Sequence, residues 1–100
     1  MLVHNVFFTL HDGSPEAIAR LIESCREHLA GHPGEVFFAV GGLEPELDRP
    51  VNDRDFHVAL TVVFEDRAAH DAYQVEPRHL RFIETNKPTW AKVRVFDSID

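Results

Sequence analysis

"FHVALTVVFEDRAAHDAYQVEPRHLRF" (residues 56–82) carries a change of period that fixes the class of fold. Its first nine residues, "FHVALTVVF", are β-branched and aromatic and read as a strand, whereas "EDRAAHDAYQV" (65–75) reads as a short helix. Pro77 must stop that helix. It suits the first turn of a new one, because a first-turn N–H is unpaired anyway, so "PRHLRFIETN" (77–86) continues as a second short helix. The unit is therefore a strand followed by a broken helix, with Tyr73 and His79 on either side of the break.

The same order occurs earlier in the chain. "LVHNVFFTL" (2–10) reads as a strand that ends at the turn cluster "HDGSP". In "SPEAIARLIESCREHLAG" (14–31), Ser14 is a fitting helix cap, Pro15 a fitting first residue and Gly31 a fitting exit. Ile18, Leu21, Ile22, Cys25 and Leu29 recur along one helical stripe, with Cys25 expected as a buried thiol. "EVFFAVGGL" (35–43) reads as a strand with a bulge or bend at Gly41-Gly42, "EPELDRPVNDRD" (44–55) as a long polar loop, and "TWAKVRVFD" (89–97) as the last strand. Strand, helix, strand, strand, broken helix, strand is the α+β, ferredoxin-like split βαβ sandwich: a four-stranded antiparallel sheet with helices on one face, in a single domain over residues 1–100.

One property of the strands is out of keeping with an isolated sandwich. A sheet covered on one face alternates apolar with polar residues. "NVFFTL", "VFFAV" and "FHVALTVVF" are apolar at both parities instead, which puts Phe7 and Phe8, or Phe37 and Phe38, on opposite faces. An apolar outer face of that size needs cover, and a second copy packed sheet to sheet supplies it with two-fold symmetry.

Other partners are disfavoured. With 10 basic against 17 acidic residues and the basic ones scattered singly, nucleic acid is not expected. No apolar run is long enough to span a membrane and "LVHNVFFTL" lacks the basic lead of a signal peptide, so a cytoplasmic location is the expectation. The single cysteine excludes an internal disulfide.

The whole-chain pattern resembles the stress-responsive dimeric α+β barrel, or Dabb, family. The resemblance rests on "VHNVFFTL" with His4, on "DFHVALTVVFEDRAAHDAYQVEPRHLRF" (55–82), and on the closing "WAKVRVFD". Members commonly carry a histidine just before the helix-breaking proline, where this chain has Glu76. The resemblance implies a homodimer and, as in cyclase-like members, a site between sheet and helices built from Tyr73 and His79 and lined by His4 and His57; Phe8 and Phe82 are expected to bind the substrate beside them.

Such a set suits proton abstraction beside a carbonyl, with His79 as base and Tyr73 as hydrogen-bond donor to the enolate oxygen, and it requires no cofactor. The ligand expected is small and apolar or carbonyl-bearing. No "HxH" or "HxxxH" pair joins His4, His57 and His79, so no metal site is expected. His11, His28, His32 and His70 fall at turns or polar helical positions and read as solvated. Trp90 reads as a packing anchor, and Asp53 and Arg54 as part of a solvated rim. Asn5, Trp90 and His4 also resemble residue types used by haem-degrading and quinol-type monooxygenases of a related barrel group, in a different order and spacing.

Overall fold

The computed structural model describes residues 1–100 and contains β1 (Leu2–Leu10), α1 (Pro15–Leu29), β2 (Glu35–Gly42), β3 (Val58–Phe64), α2 (Arg67–Val75), α3 (Pro77–Asn86), a 3-10 turn (Lys87–Thr89) and β4 (Trp90–Ile99). The four strands form one antiparallel sheet in the order β2-β3-β1-β4. Parity decides depth in its two central strands. Leu2, His4, Val6, Phe8 and Leu10 of β1 and Val58, Leu60, Val62 and Phe64 of β3 are buried under the helices, while the residues between them are only half-buried. Leu21, Cys25 and Leu29 of α1 close this core. Burial pushes the Cys25 thiol up to about 12, so it is an inert packing group.

The helix ends follow from their capping residues. Ser14 Oγ accepts from the Ala17 N–H at 3.2 Å and Asp66 Oδ1 from the Ala69 N–H at 2.8 Å. Glu76 sits at the break itself, where its carboxylate accepts from the Arg78 N–H at 2.7 Å. The acid before Pro77 thus starts α3, and Pro77 occupies a position where its missing N–H costs nothing.

Two expectations about the strands need correction. The irregularity in β2 lies between Glu35 and Phe37, whereas Gly41 and Gly42 pair regularly with Ala59 and Val58. β3 starts at Val58, leaving His57 in the preceding loop. The His57 Nδ1 accepts from the Leu10 N–H at 2.9 Å, at the point where the β1–β4 register shifts between Thr9 and Leu10. His57 is therefore occupied in satisfying a backbone donor at an irregular strand end.

No helix covers the outer face of the sheet, where Val3, Phe7, Phe37, Val63 and Phe96 lie among the polar Asn5, Thr9, Thr61 and Arg94. Phe7 packs edge-on against Phe56 and Phe96, with ring centroids 5.2 and 5.8 Å apart, and Phe37 and Phe96 remain more than half exposed. The β2–β3 loop folds along the rim of this face. Asp53 pairs with Arg94 at 2.9 Å and Asp55 with Lys92 at 2.5 Å, and both carboxyls are held below their usual range by those hydrogen bonds. Arg54 donates to the Pro45 carbonyl at 3.0 Å instead. No helix is long and apolar enough to cross a membrane.

Candidate functional site

Because the even-numbered residues of β1 face the helices, His4 and Phe8 point at the underside of the broken helix. Tyr73 lies in the last turn of α2 and His79 in the first turn of α3. An unbroken helix would turn residues six apart onto different faces. The break at Pro77 brings their rings to 4.5 Å between centroids, with both residues buried. Between these helices and the sheet lies a cavity of about 160 Å³. His4, Phe8, Tyr73, His79 and Phe82 all line it, together with Trp90, Gln74 and the β4 valines Val93 and Val95.

The structure thus gathers five of the six residues singled out from the sequence. His57 is the exception, held at the strand end as described above. Trp90 packs on Phe8 and Phe82, with centroids at 5.1 and 5.9 Å, and so both anchors the core and walls the cavity. Asn5 is on the opposite face, where its side-chain oxygen accepts from the Thr61 hydroxyl at 2.8 Å. Asn5, Trp90 and His4 are therefore not gathered into one site.

Two histidines read as solvated are in fact part of this region. His32 is buried, its Nε2 donating to the His28 carbonyl at 2.7 Å, and its ring lies 5.0 Å from that of Tyr73. His70 sits edge-on to His4 at 5.2 Å and to Phe64 at 5.7 Å. Its spacing from Tyr73, three residues along one helix, was the available signal. The turn position of His32 gave none. His28 is half-buried on α1, bonded to the Ser24 carbonyl at 3.0 Å, and His11 is exposed. Asp97 was also missed: it stands opposite His4 in the β1–β4 register, and its carboxylate is 2.5 Å from the His4 Nδ1.

Electrostatically the site favours neutral groups. Desolvation lowers the His79 pKa below its ordinary value, and the neighbouring imidazoles His32, His4 and His70 act in the same direction; the Gln74 backbone opposes them only in part. Burial, with a smaller contribution from the Glu35 charge, raises the Tyr73 pKa, so the phenol keeps its proton. The site therefore offers an unprotonated imidazole next to a protonated hydroxyl. The His79 Nδ1 and the Trp90 Nε1 are buried without a protein hydrogen-bond partner.

A consequence for stability follows from the sign of the His79 shift. An unfolded histidine titrates at about 6.5, and the folded one lower, so between those values unfolding takes up a proton. The contribution of neutral His79 is complete above the unfolded value and is lost as pH falls through the folded one. The melting temperature of the wild type is expected to decline as pH drops below about 6.5, and His79→Leu to flatten that slope. Melting curves from pH 5 to 8 check this; identical slopes in the two proteins would assign the decline to other groups.

A profile of the Stress responsive A/B Barrel Domain family matches residues 2–100. Among solved structures, a Dabb family protein with a ferredoxin-like fold from Mesorhizobium loti is 24% identical, with 99% of this chain and 95% of that one covered at a TM-score of 0.81. A dimeric ferredoxin-like protein of unknown function from Thermobifida fusca is 18% identical, with coverage of 99% and 90% and a TM-score of 0.79. The hydroxynitrile lyase from Passiflora edulis is 21% identical, with coverage of 99% and 92% and a TM-score of 0.79. No curated protein matches the chain.

Proposed function

The chain belongs to the Stress responsive A/B Barrel Domain family, and on that premise we propose that it is a homodimeric protein that binds a small, mainly apolar, carbonyl-bearing molecule in the cavity between sheet and broken helix. The observation that carries this reading is the cavity itself, walled mainly by apolar side chains with His4, Tyr73 and His79 converging on it. A mainly apolar pocket with a few convergent polar groups suits a small ligand that carries one polar group among apolar atoms. A cavity of about 160 Å³ takes roughly one six-membered ring.

A catalytic form of the same reading has its own support, namely that burial keeps His79 neutral beside a protonated Tyr73. In a cofactor-free cyclase or lyase, His79 would take a proton from the carbon next to a carbonyl, and Tyr73 would donate a hydrogen bond to the oxygen on which negative charge develops. The Asp97 carboxylate, 2.5 Å from His4 Nδ1, holds the ring of His4 where it lines the cavity. The fold shared with the Passiflora edulis lyase is compatible with such chemistry, though the likeness is one of fold.

Both forms are tested by following the ring carbons of His79, His57 and His4 by NMR from pH 5 to 8 with and without a panel of β-diketones, and by measuring exchange of the diketone's acidic C–H protons. Binding is expected to shift His79 and His4 and to leave His57 unmoved. If the catalytic form holds, His79→Ala and Tyr73→Phe each lower the protein-dependent exchange rate by about 10²- to 10⁴-fold, the usual worth of a positioned acid or base. Shifts without exchange support binding alone. No shift at His79 with any diketone removes the carbonyl ligand from the proposal.

A further inference from the structure

The three side chains His4, His70 and Asp97 are far apart in sequence, and the fold brings one ligand-type atom of each to within 4.8 Å of the others. We propose that they form a binding site for a divalent first-row transition metal of the zinc class, beside the cavity and sharing His4 with it. This is independent of the carbonyl-ligand reading and goes beyond it.

Topology explains the convergence. β1 and β4 pair antiparallel with His4 opposite Asp97, and α2, packed on the neighbouring strand β3, brings the His70 ring to 5.2 Å from that of His4. Ligand bonds of about 2.0–2.2 Å place ligand atoms about 3–4 Å from one another. To reach that spacing the widest separation, up to 4.8 Å, has to close by about 1 Å and the 2.5 Å His4–Asp97 pair has to open by a similar amount. Asp97 is the half-exposed member and gives the ion its path from solvent, while the side chains of His4 and His70 are largely buried.

The hydrogen bonds of His70 set it in the form that a metal requires. Its Nδ1 lies 3.0 Å from the Asp71 carboxylate, which only accepts, and its Nε2 lies 3.3 Å from the Gln74 side-chain nitrogen, which only donates. The proton is therefore on Nδ1, and Nε2 carries the lone pair, which accepts from the Gln74 amide and becomes free for a metal once that amide turns away. A carboxylate behind a ligating histidine is the usual second partner in such sites, and Asp71 is itself held by Arg67 at 3.1 Å. At the other two ligands, His4 Nδ1 and Asp97 Oδ1 stand 2.5 Å apart around one proton. A metal ion takes the place of that proton, which passes to solvent.

Two imidazoles and one carboxylate select zinc, cobalt, nickel, copper or ferrous iron over magnesium and calcium, which prefer all-oxygen sets. Three protein ligands also leave a coordination position open to water or to an oxygen of a molecule in the cavity, since His4 lines both.

Zinc titration by calorimetry and cobalt absorption spectra on the intact protein test this. The wild type is expected to take up one zinc ion per chain with a Kd of about 10 µM or tighter, and to give cobalt d–d bands of nitrogen and oxygen ligation. Asp97→Asn and His70→Gln should each weaken zinc by at least tenfold, with exposed His11→Gln binding as the wild type does. The proposal is overturned if the wild type shows no stoichiometric uptake below about 100 µM zinc, or if both ligand variants bind as it does. The wild-type arm decides the matter even where a variant folds poorly. Repeating the β-diketone shifts in chelator-treated protein keeps a failure of the carbonyl reading separate from a failure of this one.

Discussion

Replacing Gly34 with alanine is expected to destabilise the fold by about 2–5 kcal/mol and to lower the melting temperature by roughly 10 °C or more. Gly34 has φ +85°, in the left-handed region that costs other residues about 1–2 kcal/mol. A Cβ built there would stand 2.4 Å from the Ala69 Cβ, and a methyl group has no far end to swing aside. α2 would have to move outward, at an overpacking cost of about 1–3 kcal/mol. Gly31→Ala separates the two contributions. Its φ is +80° but nothing lies within 4 Å of its Cβ position, so only the backbone part, about 1–2 kcal/mol, should appear. Chemical denaturation of the two variants checks this; equal losses would mean that the Ala69 contact is not what makes Gly34 necessary.

The same substitution reaches the candidate site. Gly34 lets α2 approach the turn that carries His32, and its carbonyl accepts the Glu65 N–H at 2.8 Å, just before the Asp66 cap. Ala69 is one helical turn before Tyr73, whose ring rests on His32. The position of Tyr73 in the cavity thus depends on a glycine that no site motif would include.

What could be read from the sequence divides along physical lines. Helix caps, proline breaks and strand parity are local, and they were enough to give the element order, a common face for His4 and Phe8, and a break between Tyr73 and His79; that these two share one site came from the family resemblance. Features set by pairing between distant strands were not legible. Asp97 meets His4 only through the β1–β4 register, and His57 is diverted by a register shift at Leu10 that belongs to the β1–β4 pair. His32 illustrates the remaining limit. A polar residue in a turn normally reads as solvated, yet here the His28 carbonyl satisfies one ring nitrogen and the Tyr73 ring covers the other atoms. Burial of a polar side chain depends on partners, and these came from α1 and α2 together.

The second large effect concerns the outer face, where Phe96→Glu is expected to convert a dimer of twice the 11.4 kDa chain mass into a folded monomer. Phe96 stands opposite Asn5 and Phe37 opposite Val63, so the two most exposed phenylalanines of this face lie on opposite edges of the sheet with Phe7 between them. That breadth of apolar surface is what a sheet-to-sheet partner would bury, and the ion pairs Asp53–Arg94 and Asp55–Lys92 beside it supply the polar rim of such an interface. In a two-fold dimer each substitution counts twice, and a carboxylate buried without a partner costs several kcal/mol at each copy. Dissociation should therefore strengthen by three orders of magnitude or more. The monomer should stay folded, because Phe96 points away from the helix-covered core. Val75→Glu, at an exposed position on α2, controls for added charge and should leave the mass unchanged. Sedimentation at about 10 µM decides it: a wild type of single-chain mass, or a Phe96→Glu protein that still sediments as a dimer, would mean that the apolar outer face is not the self-association surface.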